Sequence, residues 1–268
     1  MNARLAFTFF LISTTIALGM ASCGSVDSNA SGSADAASGG GTDGSISGLN
    51  QVTLQTDDGV DLVADLYTTG TTGNPGVILL HMVPPSNSKA NFTAAFIEPL
   101  VARGFNVLNV NRRGAPGSGG VATEAYSGPN GKLDAKAAYD FLIAHQSATP
   151  ANAIAVVGAS NGTTTATDFS VFAAGVRSVE QPAALVFLSG GSYTENQNSI
   201  RSNLTALSNH PIYFAYPPGE SAWNIGIQGF APTNWVFTEY SPGAHGTRLF
   251  ASNPEVINDV INFIDGVL

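Results

Sequence analysis

Hydrophobic and polar positions alternate in the segment that begins near residue 49, and farther along they give way to continuous apolar runs. The alternating segments lie on either side of Asp57-Asp58-Gly59, which predicts a hairpin of two half-buried strands. A short, continuous apolar run is typical of an inner strand of a parallel sheet. Runs of this kind cover residues 76–81 and 153–157, and further strands are predicted over 105–111, 182–190, 211–216 and 234–241.

Between these strands the apolar positions recur at helical spacing, which predicts helices over residues 92–103, 133–145 and 199–208, and one that continues from the turn at 158–162 to residue 175. A closing helix is predicted after residue 253, with Asn253 as its N-cap and Pro254 in its first position. Two antiparallel strands followed by strand–helix alternation predict one α/β domain, a doubly wound, mostly parallel sheet with helices on both faces. About twenty residues separate Gly190 from His210, too few for a large cap domain.

The first 48 residues differ in composition from the rest. Arg4 is followed by an apolar stretch at residues 5–18, too short for a spanning helix and typical of a secretory signal over residues 1–22. Residues 24–48 are Gly, Ser, Ala and Asp with almost no apolar mass, which predicts a disordered tether. The folded domain is predicted over residues 49–268.

The single cysteine, Cys23, follows Met20-Ala21-Ser22 at the expected cleavage point. This segment resembles the lipobox of bacterial lipoproteins. The resemblance implies a fatty acyl anchor, palmitate among its chains, on Cys23, and therefore a place on a membrane of the cell envelope. Gly24 implies, by the same resemblance, transport onward to the outer membrane or cell surface where a cell has one. Ordinary cleavage beside an incidental cysteine is the alternative.

Charge and composition exclude several classes of partner. The net charge is −9 with only 10 Lys and Arg and no basic run, which argues against nucleic acid because phosphate binding needs a basic face. No H-E-x-x-H motif and no pair of histidines is present, so no metal site is predicted. The glycines from Arg113-Gly114 to Gly117-Ser118-Gly119 do not form a P-loop and are interpreted as structural. No cofactor is expected, and the oligomeric state stays open.

The segment Gly158-Ala159-Ser160-Asn161-Gly162 carries the chemistry. It is the only G-x-S-x-G in the chain and lies between a predicted strand and a predicted helix. A serine at such a turn takes a strained backbone conformation that exposes its hydroxyl. A Cβ at either glycine would collide with the neighbouring strand and helix. The pattern predicts Ser160 as a nucleophile; a chance match among 30 glycines is the alternative.

Five segments in order resemble the α/β-hydrolase family over residues 49–268. They are LLHMV (79–83), NRRGAPGSG (111–119), GASNG (158–162), PPGES (217–221) and GAHG (243–246). The resemblance is greatest to the lidless dienelactone-hydrolase and carboxylesterase-like members. It implies the α/β-hydrolase fold and a small-molecule ester as substrate.

A serine hydroxyl is a weak nucleophile until a base takes its proton. Of the four histidines, His245 lies between the last strand and the last helix, where the family presents its base. His81 corresponds by resemblance to the structural histidine of the oxyanion loop. His145 ends a helix, where a cation suits the dipole, and His210 lies at a strand entry. We therefore expect His245 to act as the base.

The histidine needs a carboxylate to fix its tautomer. Glu220 follows the strand before last, where the family places its acid, although Asp is commoner there. Glu195, one strand earlier, is the alternative acid because some members place the acid there. A solvated loop carboxylate is the alternative for either residue.

The oxyanion needs backbone N–H donors. Asn161 is expected to supply one, and Val83 the other, since Pro84 and Pro85 cannot donate. Candidates for the substrate pocket, for which covering the core is an equal alternative, are Met82, Tyr193, Trp223 and Phe230.

Together these features favour a secreted, membrane-anchored serine hydrolase of carboxylic esters that works through an acyl-enzyme. A peptidase or thioesterase with the same triad is one alternative. A non-catalytic hydrolase fold that serves as a surface binding protein is the other.

Overall fold

The computed structural model describes residues 49–145, 148–193 and 199–268. The predicted signal, tether and Cys23 lie outside these residues, as does Glu195.

An eight-stranded sheet runs through the domain in the order β1-β2-β4-β3-β5-β6-β7-β8. Its first two strands pair antiparallel, as the predicted hairpin requires, and β2 pairs antiparallel with β4; every later neighbour pair is parallel. The strands are β1 (Leu49–Gln55), β2 (Asp61–Tyr67), β3 (Gly76–Leu80), β4 (Asn106–Val110), β5 (Ile154–Ala159), β6 (Ala184–Leu188), β7 (Ile212–Tyr216) and β8 (Trp235–Glu239).

The helices that the structure describes are α1 (Ala94–Ala102), α2 (Ala122–Tyr126), α3 (Gly131–Ala144), α4 (Asn161–Gly175), α5 (Leu204–Leu207), α6 (Ser221–Gln228), α7 (Leu249–Ser252) and α8 (Glu255–Val267). Helices α1 to α6 lie between the strands from β3 to β8, and α7 and α8 follow the last strand. The sequence predicts α1, α3, α4 and α8 within a few residues, but it does not predict α2, α6 or α7. The predicted helix over 199–208 is a 3-10 turn, Arg201–Asn203, followed by the four-residue α5. No helix that the structure describes is long and apolar enough to cross a membrane.

The core lies on both faces of the sheet. All residues of β3, β4, β5, β6 and β7 are buried, which explains why these strands are predominantly apolar. β4 also buries two polar residues, Asn106 and Asn109. On one face Ile78 and Val156 join a cluster with Phe169 of α4. On the other face the alternate positions join a cluster with residues of α1 and α8, including Phe96 and Ile264. The predicted two-faced α/β architecture is confirmed.

The prediction that Asn253 caps the closing helix is wrong. Pro254 stands in the capping position, and no side chain caps this helix. The amide nitrogen of Asn253 donates to the Ser241 carbonyl at 3.1 Å, and its oxygen accepts the Gly243 N–H at 3.1 Å. Asn253 therefore fastens the loop that follows β8 instead of the helix that follows itself.

Candidate active site

Ser160 lies at the turn between β5 and α4. Its backbone has φ 51° and ψ −123°, a left-handed conformation that costs a residue with a Cβ about 1–3 kcal/mol. The turn is held because the Ser160 N–H donates to the Leu188 carbonyl at 2.8 Å and the Ser160 carbonyl accepts the Thr163 N–H at 2.9 Å. This strain places the hydroxyl at the carboxyl edge of the sheet.

The two glycines of the motif allow a close approach of backbone to backbone. A Cβ on Gly158 would lie 2.5 Å from the Gly162 carbonyl oxygen, and a Cβ on Gly162 would lie 2.2 Å from the Leu80 carbonyl oxygen. Both distances are below any real contact, so the predicted collisions are confirmed. The helix that begins at Asn161 can therefore start directly against the end of β3.

Three side chains from separate elements form one hydrogen-bonded chain. Nε2 of His245 lies 2.7 Å from Oγ of Ser160, and Nδ1 of His245 lies 2.6 Å from Oε1 of Glu220. A neutral His245 then donates its Nδ1–H to the carboxylate and accepts the serine O–H at Nε2. Such an arrangement can take the hydroxyl proton as the oxygen attacks, and the carboxylate stabilises the imidazolium that forms.

The topology explains how residues so far apart in sequence meet. Glu220 ends a 3-10 turn directly after β7, and His245 follows β8. Because β5, β7 and β8 run parallel, the segments after them emerge at the same edge of the sheet. Oε2 of Glu220 is buried and has no hydrogen-bond partner within the described ranges. The carboxylate therefore directs one oxygen at the histidine.

Ser189, which the sequence analysis did not single out, supports the histidine. It follows β6, is fully buried and has φ 59°. Its Oγ accepts the N–H of Gly246, the residue after His245, at 2.8 Å. Its own N–H donates to the Ala215 carbonyl at 2.8 Å, so the contact is anchored in the sheet. In the sequence, the only signal is a small polar residue directly after a buried strand.

The loop that is expected from the sequence to hold the oxyanion follows β3. His81 is fully buried and donates its Nδ1–H to the Met82 carbonyl at 2.7 Å, while its Nε2 accepts the Arg112 N–H at 3.0 Å. Burial, with the positive charge of Arg112, lowers the pKa of His81 to about 3, so the ring is neutral. The half-buried Val83 follows in this loop, and Asn161 is the first residue of α4, beside Ser160.

The loop from Arg113 to Gly119 has a structural role, as predicted. The Arg113 guanidinium pairs with Asp134 and with Asp58, each at 2.7 Å. Hydrogen bonds from this guanidinium are the main cause that lowers the pKa of Asp58 from 3.8 to about 2. Ser118 accepts the Val63 N–H at 2.9 Å, which fixes the loop to β2.

The four candidate pocket residues have different environments. Met82 is buried, and its sulfur lies 2.6 Å from where a Cβ on Gly246 would be, so it packs beneath the His245 loop. The Tyr193 ring meets the His245 ring edge-on with 6.0 Å between centroids, and its hydroxyl donates to the Ser189 carbonyl. Burial, with the charge of Glu220, raises the pKa of Tyr193.

Trp223 lines a cavity of about 360 Å³ together with Ser192, Ser199, Ile200, Arg201, Ala222, Gly226 and Ile227. Its indole N–H donates to Ser192 at 3.2 Å, and its ring abuts Gly190. Phe230 is not among the lining residues, because its ring packs against the core and lies under the Arg201 guanidinium at 4.2 Å.

Among the residues that the structure describes, no cluster of His, Cys, Asp and Glu could hold a metal ion.

Several solved structures share this fold. The esterase Pf2001 of Pyrococcus furiosus matches with a TM-score of 0.59 at 18% identity, over 82% of this chain and 92% of that chain. A dienelactone hydrolase from Anabaena variabilis matches with 0.59 at 16%, over 82% and 98%. An α/β hydrolase from Vibrio vulnificus matches with 0.62 at 17%, over 83% and 82%. No family model matches the chain, and no curated protein is significantly similar to it. The predicted α/β-hydrolase fold is thus confirmed.

Proposed function

We propose that this chain is a serine hydrolase that cleaves carboxylic esters through an acyl-enzyme. One observation carries the proposal: the hydrogen-bonded chain Glu220–His245–Ser160, with its serine at a strained turn. The names of two similar structures, an esterase and a dienelactone hydrolase, support an ester as the substrate class.

In the acylation step, Oγ of Ser160 forms a bond to the ester carbonyl carbon while its proton moves to Nε2 of His245. The carbonyl π electrons move to the oxygen, which becomes the oxyanion of a tetrahedral intermediate. When the intermediate collapses, the carbon–alkoxide bond breaks and the leaving alcohol takes the proton from His245. Glu220 stays ionised and stabilises the imidazolium between these transfers.

In the deacylation step, water takes the place of the alcohol. His245 removes a proton from water as its oxygen attacks the acyl carbon, and the second tetrahedral intermediate expels Ser160, which recovers its proton from His245. The products are a carboxylic acid and an alcohol, and the triad returns to its starting protonation state. The sequence of steps needs no cofactor.

The oxyanion of both intermediates would be held by the backbone N–H groups of Asn161 and Val83. Donors placed before reaction stabilise the charge without reorganising, and one such donor is worth about 10²–10³-fold in kcat.

We also propose that the protein is held at a membrane of the cell envelope by lipid on Cys23, the residue that follows the signal-like segment. Two or more acyl chains give stable anchoring. Metabolic labelling with an alkyne-tagged fatty acid tests this: labelling that is lost in Cys23→Ala supports the anchor, and labelling that persists in Cys23→Ala contradicts it.

Treatment of the purified protein with a fluorophosphonate, followed by mass spectrometry, tests the hydrolase proposal. An activated serine is expected to carry the adduct at Ser160, and His245→Ala is expected to abolish it. A folded protein that stays unlabelled would overturn the proposal in favour of a binding protein. A panel of p-nitrophenyl esters, a thioester and a peptide then separates esterase from thioesterase and peptidase.

A further inference from the structure

Two adjacent arginines after β4 have opposite surroundings. Both are buried, but Arg113 forms ion pairs with two carboxylates, whereas the hydrogen-bond acceptors that the structure describes for the Arg112 guanidinium are all uncharged. Within the described residues, the carboxylates of Asp134 and Asp168 act on Arg112 only through the electrostatic field, without a hydrogen bond. A contribution to stability does not by itself explain why an arginine is buried at position 112. Desolvation of a buried charge costs free energy, and a well-packed apolar side chain in such a place often makes the folded protein more stable. Burial lowers the pKa of Arg112 to about 10, which still leaves it charged at neutral pH.

The acceptors of Arg112 belong to the segments that would hold the oxyanion. Nη1 donates to the carbonyls of His81 and Met82 at 3.1 and 3.4 Å. Nη2 donates to Oδ1 of Asn161 at 2.9 Å and to Oγ1 of Thr165 at 2.6 Å. A third acceptor of Nη2, the Ala125 carbonyl at 2.6 Å, ties the group to α2. One side chain thus joins the loop after β3 to the first turn of α4.

The Met82 carbonyl is the decisive contact. It shares one rigid peptide plane with the N–H of Val83, and in this trans peptide the two groups point in opposite directions. Donors from Arg112 and from Nδ1 of His81 converge on this carbonyl, so they fix where the Val83 N–H points. The Asn161 contact fixes the other proposed donor residue at the same time.

We propose that Arg112 is the positioning residue of the oxyanion site: it orients the Met82–Val83 peptide and the first residue of α4. This inference rests on the proposed hydrolase function. It assigns Arg112 no contact with substrate, since its effect passes through the two donor segments.

A matched pair of variants tests the inference. Arg112→Lys and Arg113→Lys each keep a charge and lose the planar fork of donors. We expect Arg112→Lys to lower kcat at least tenfold with little change in KM, since a misplaced oxyanion donor weakens the transition state alone. Arg113→Lys is expected to lower Tm while kcat of the folded protein stays close to wild type.

The affinity for a trifluoromethyl ketone supplies a readout that stability does not move, because this inhibitor forms an oxyanion on the serine. We expect the fold decrease in inhibitor affinity in Arg112→Lys to match the fold decrease in kcat. Equal kcat and inhibitor affinity in Arg112→Lys and wild type would overturn the inference. Thr165→Val, a near-isosteric change that removes one acceptor of Arg112, gives a smaller fall in both quantities if Arg112→Lys does not fold. A wild-type protein that neither labels nor hydrolyses esters removes the premise and overturns both proposals.

Discussion

Oγ of Ser189 accepts the backbone N–H of Gly246 at 2.8 Å, which joins the end of β6 to the residue after His245. Replacement of Ser189 by Ala leaves this buried N–H without its acceptor, at a cost of about 1–3 kcal/mol. Because His245 is then less well held, we expect kcat to fall roughly tenfold with KM unchanged. Steady-state kinetics with a p-nitrophenyl ester measures both.

Ser189→Gly serves as the companion variant. Glycine accepts the positive φ of 59° without strain but also lacks the hydroxyl. We expect Ser189→Gly to lose as much activity as Ser189→Ala while keeping a higher Tm. Wild-type activity in the glycine variant would show that backbone strain, and not the hydroxyl contact, explains the residue.

Separate variants that remove the charge of Glu220 or of Glu195 show which of these residues acts as the acid of the triad. Glu220→Gln keeps the size of the side chain but presents an amide to Nδ1 of His245, which no longer stabilises the imidazolium. We expect kcat to fall by about 10²–10⁴-fold. Glu195→Gln is expected to leave kcat unchanged. The reverse pattern would assign the acid to Glu195, and circular dichroism of each variant checks that the fold is retained.

Two glycines of one helix should respond in opposite ways to an added methyl group. Gly162→Ala places a Cβ 2.2 Å from the Leu80 carbonyl oxygen, and backbone has to move, so we expect a loss of about 1–3 kcal/mol in the free energy of unfolding. Gly175→Ala, at the other end of α4, meets no atom within 4 Å and is expected to gain about 0.4–1 kcal/mol. Urea unfolding measures both, and equal losses would contradict the steric explanation.

The pair of Arg113 and Asp58 predicts an acid-dependent loss of stability. The pKa of Asp58 is about 2 in the folded protein against 3.8 for the free group, so protons bind the unfolded chain first as the pH falls. The contribution is complete above pH 4 and is lost as the pH falls towards 2. Because 30% of the Asp58 side chain is exposed, solvent screens the ion pair. We expect it to contribute about 1 kcal/mol to the free energy of unfolding, which corresponds to roughly 2–4 °C in Tm.

Calorimetry of wild type and Asp58→Asn across this pH range tests the prediction. The difference in Tm between the two proteins should be constant above pH 4 and should narrow towards pH 2. A difference that stays constant down to pH 2 would mean that the ion pair does not perturb Asp58.

The sequence predicts elements well where burial is complete. The inner strands β3, β5, β6 and β7 have no solvent-facing positions, so their sequences are almost entirely apolar, and only β4 interrupts the pattern, with the buried Asn106 and Asn109. Helix α2 was missed because it has five residues and buries only Ala125, which leaves no apolar period to detect. The sequence predicts one helix over residues 199–208, whereas the structure has a 3-10 turn followed by a single α turn.

Within the site, the sequence identifies residues whose position in the fold is marked by a motif. Ser160 has its glycines, and Glu220 and His245 follow strands in chain order. Ser189 and Arg112 have no such mark, since their roles depend on contacts between segments far apart in sequence. Arg112 and Arg113 are chemically identical neighbours, and only the surrounding acceptors distinguish them.

The amide of Asn253 holds two peptide groups of the segment that precedes His245, at Ser241 and Gly243. The conformational entropy of that segment is therefore lost when the chain folds and not when substrate arrives. Less ordering is left for the moment of binding, and the base already stands within reach of the serine. In the proposed hydrolase, this side of the site would serve as a fixed template, and we expect no closure of the His245 loop to precede the reaction.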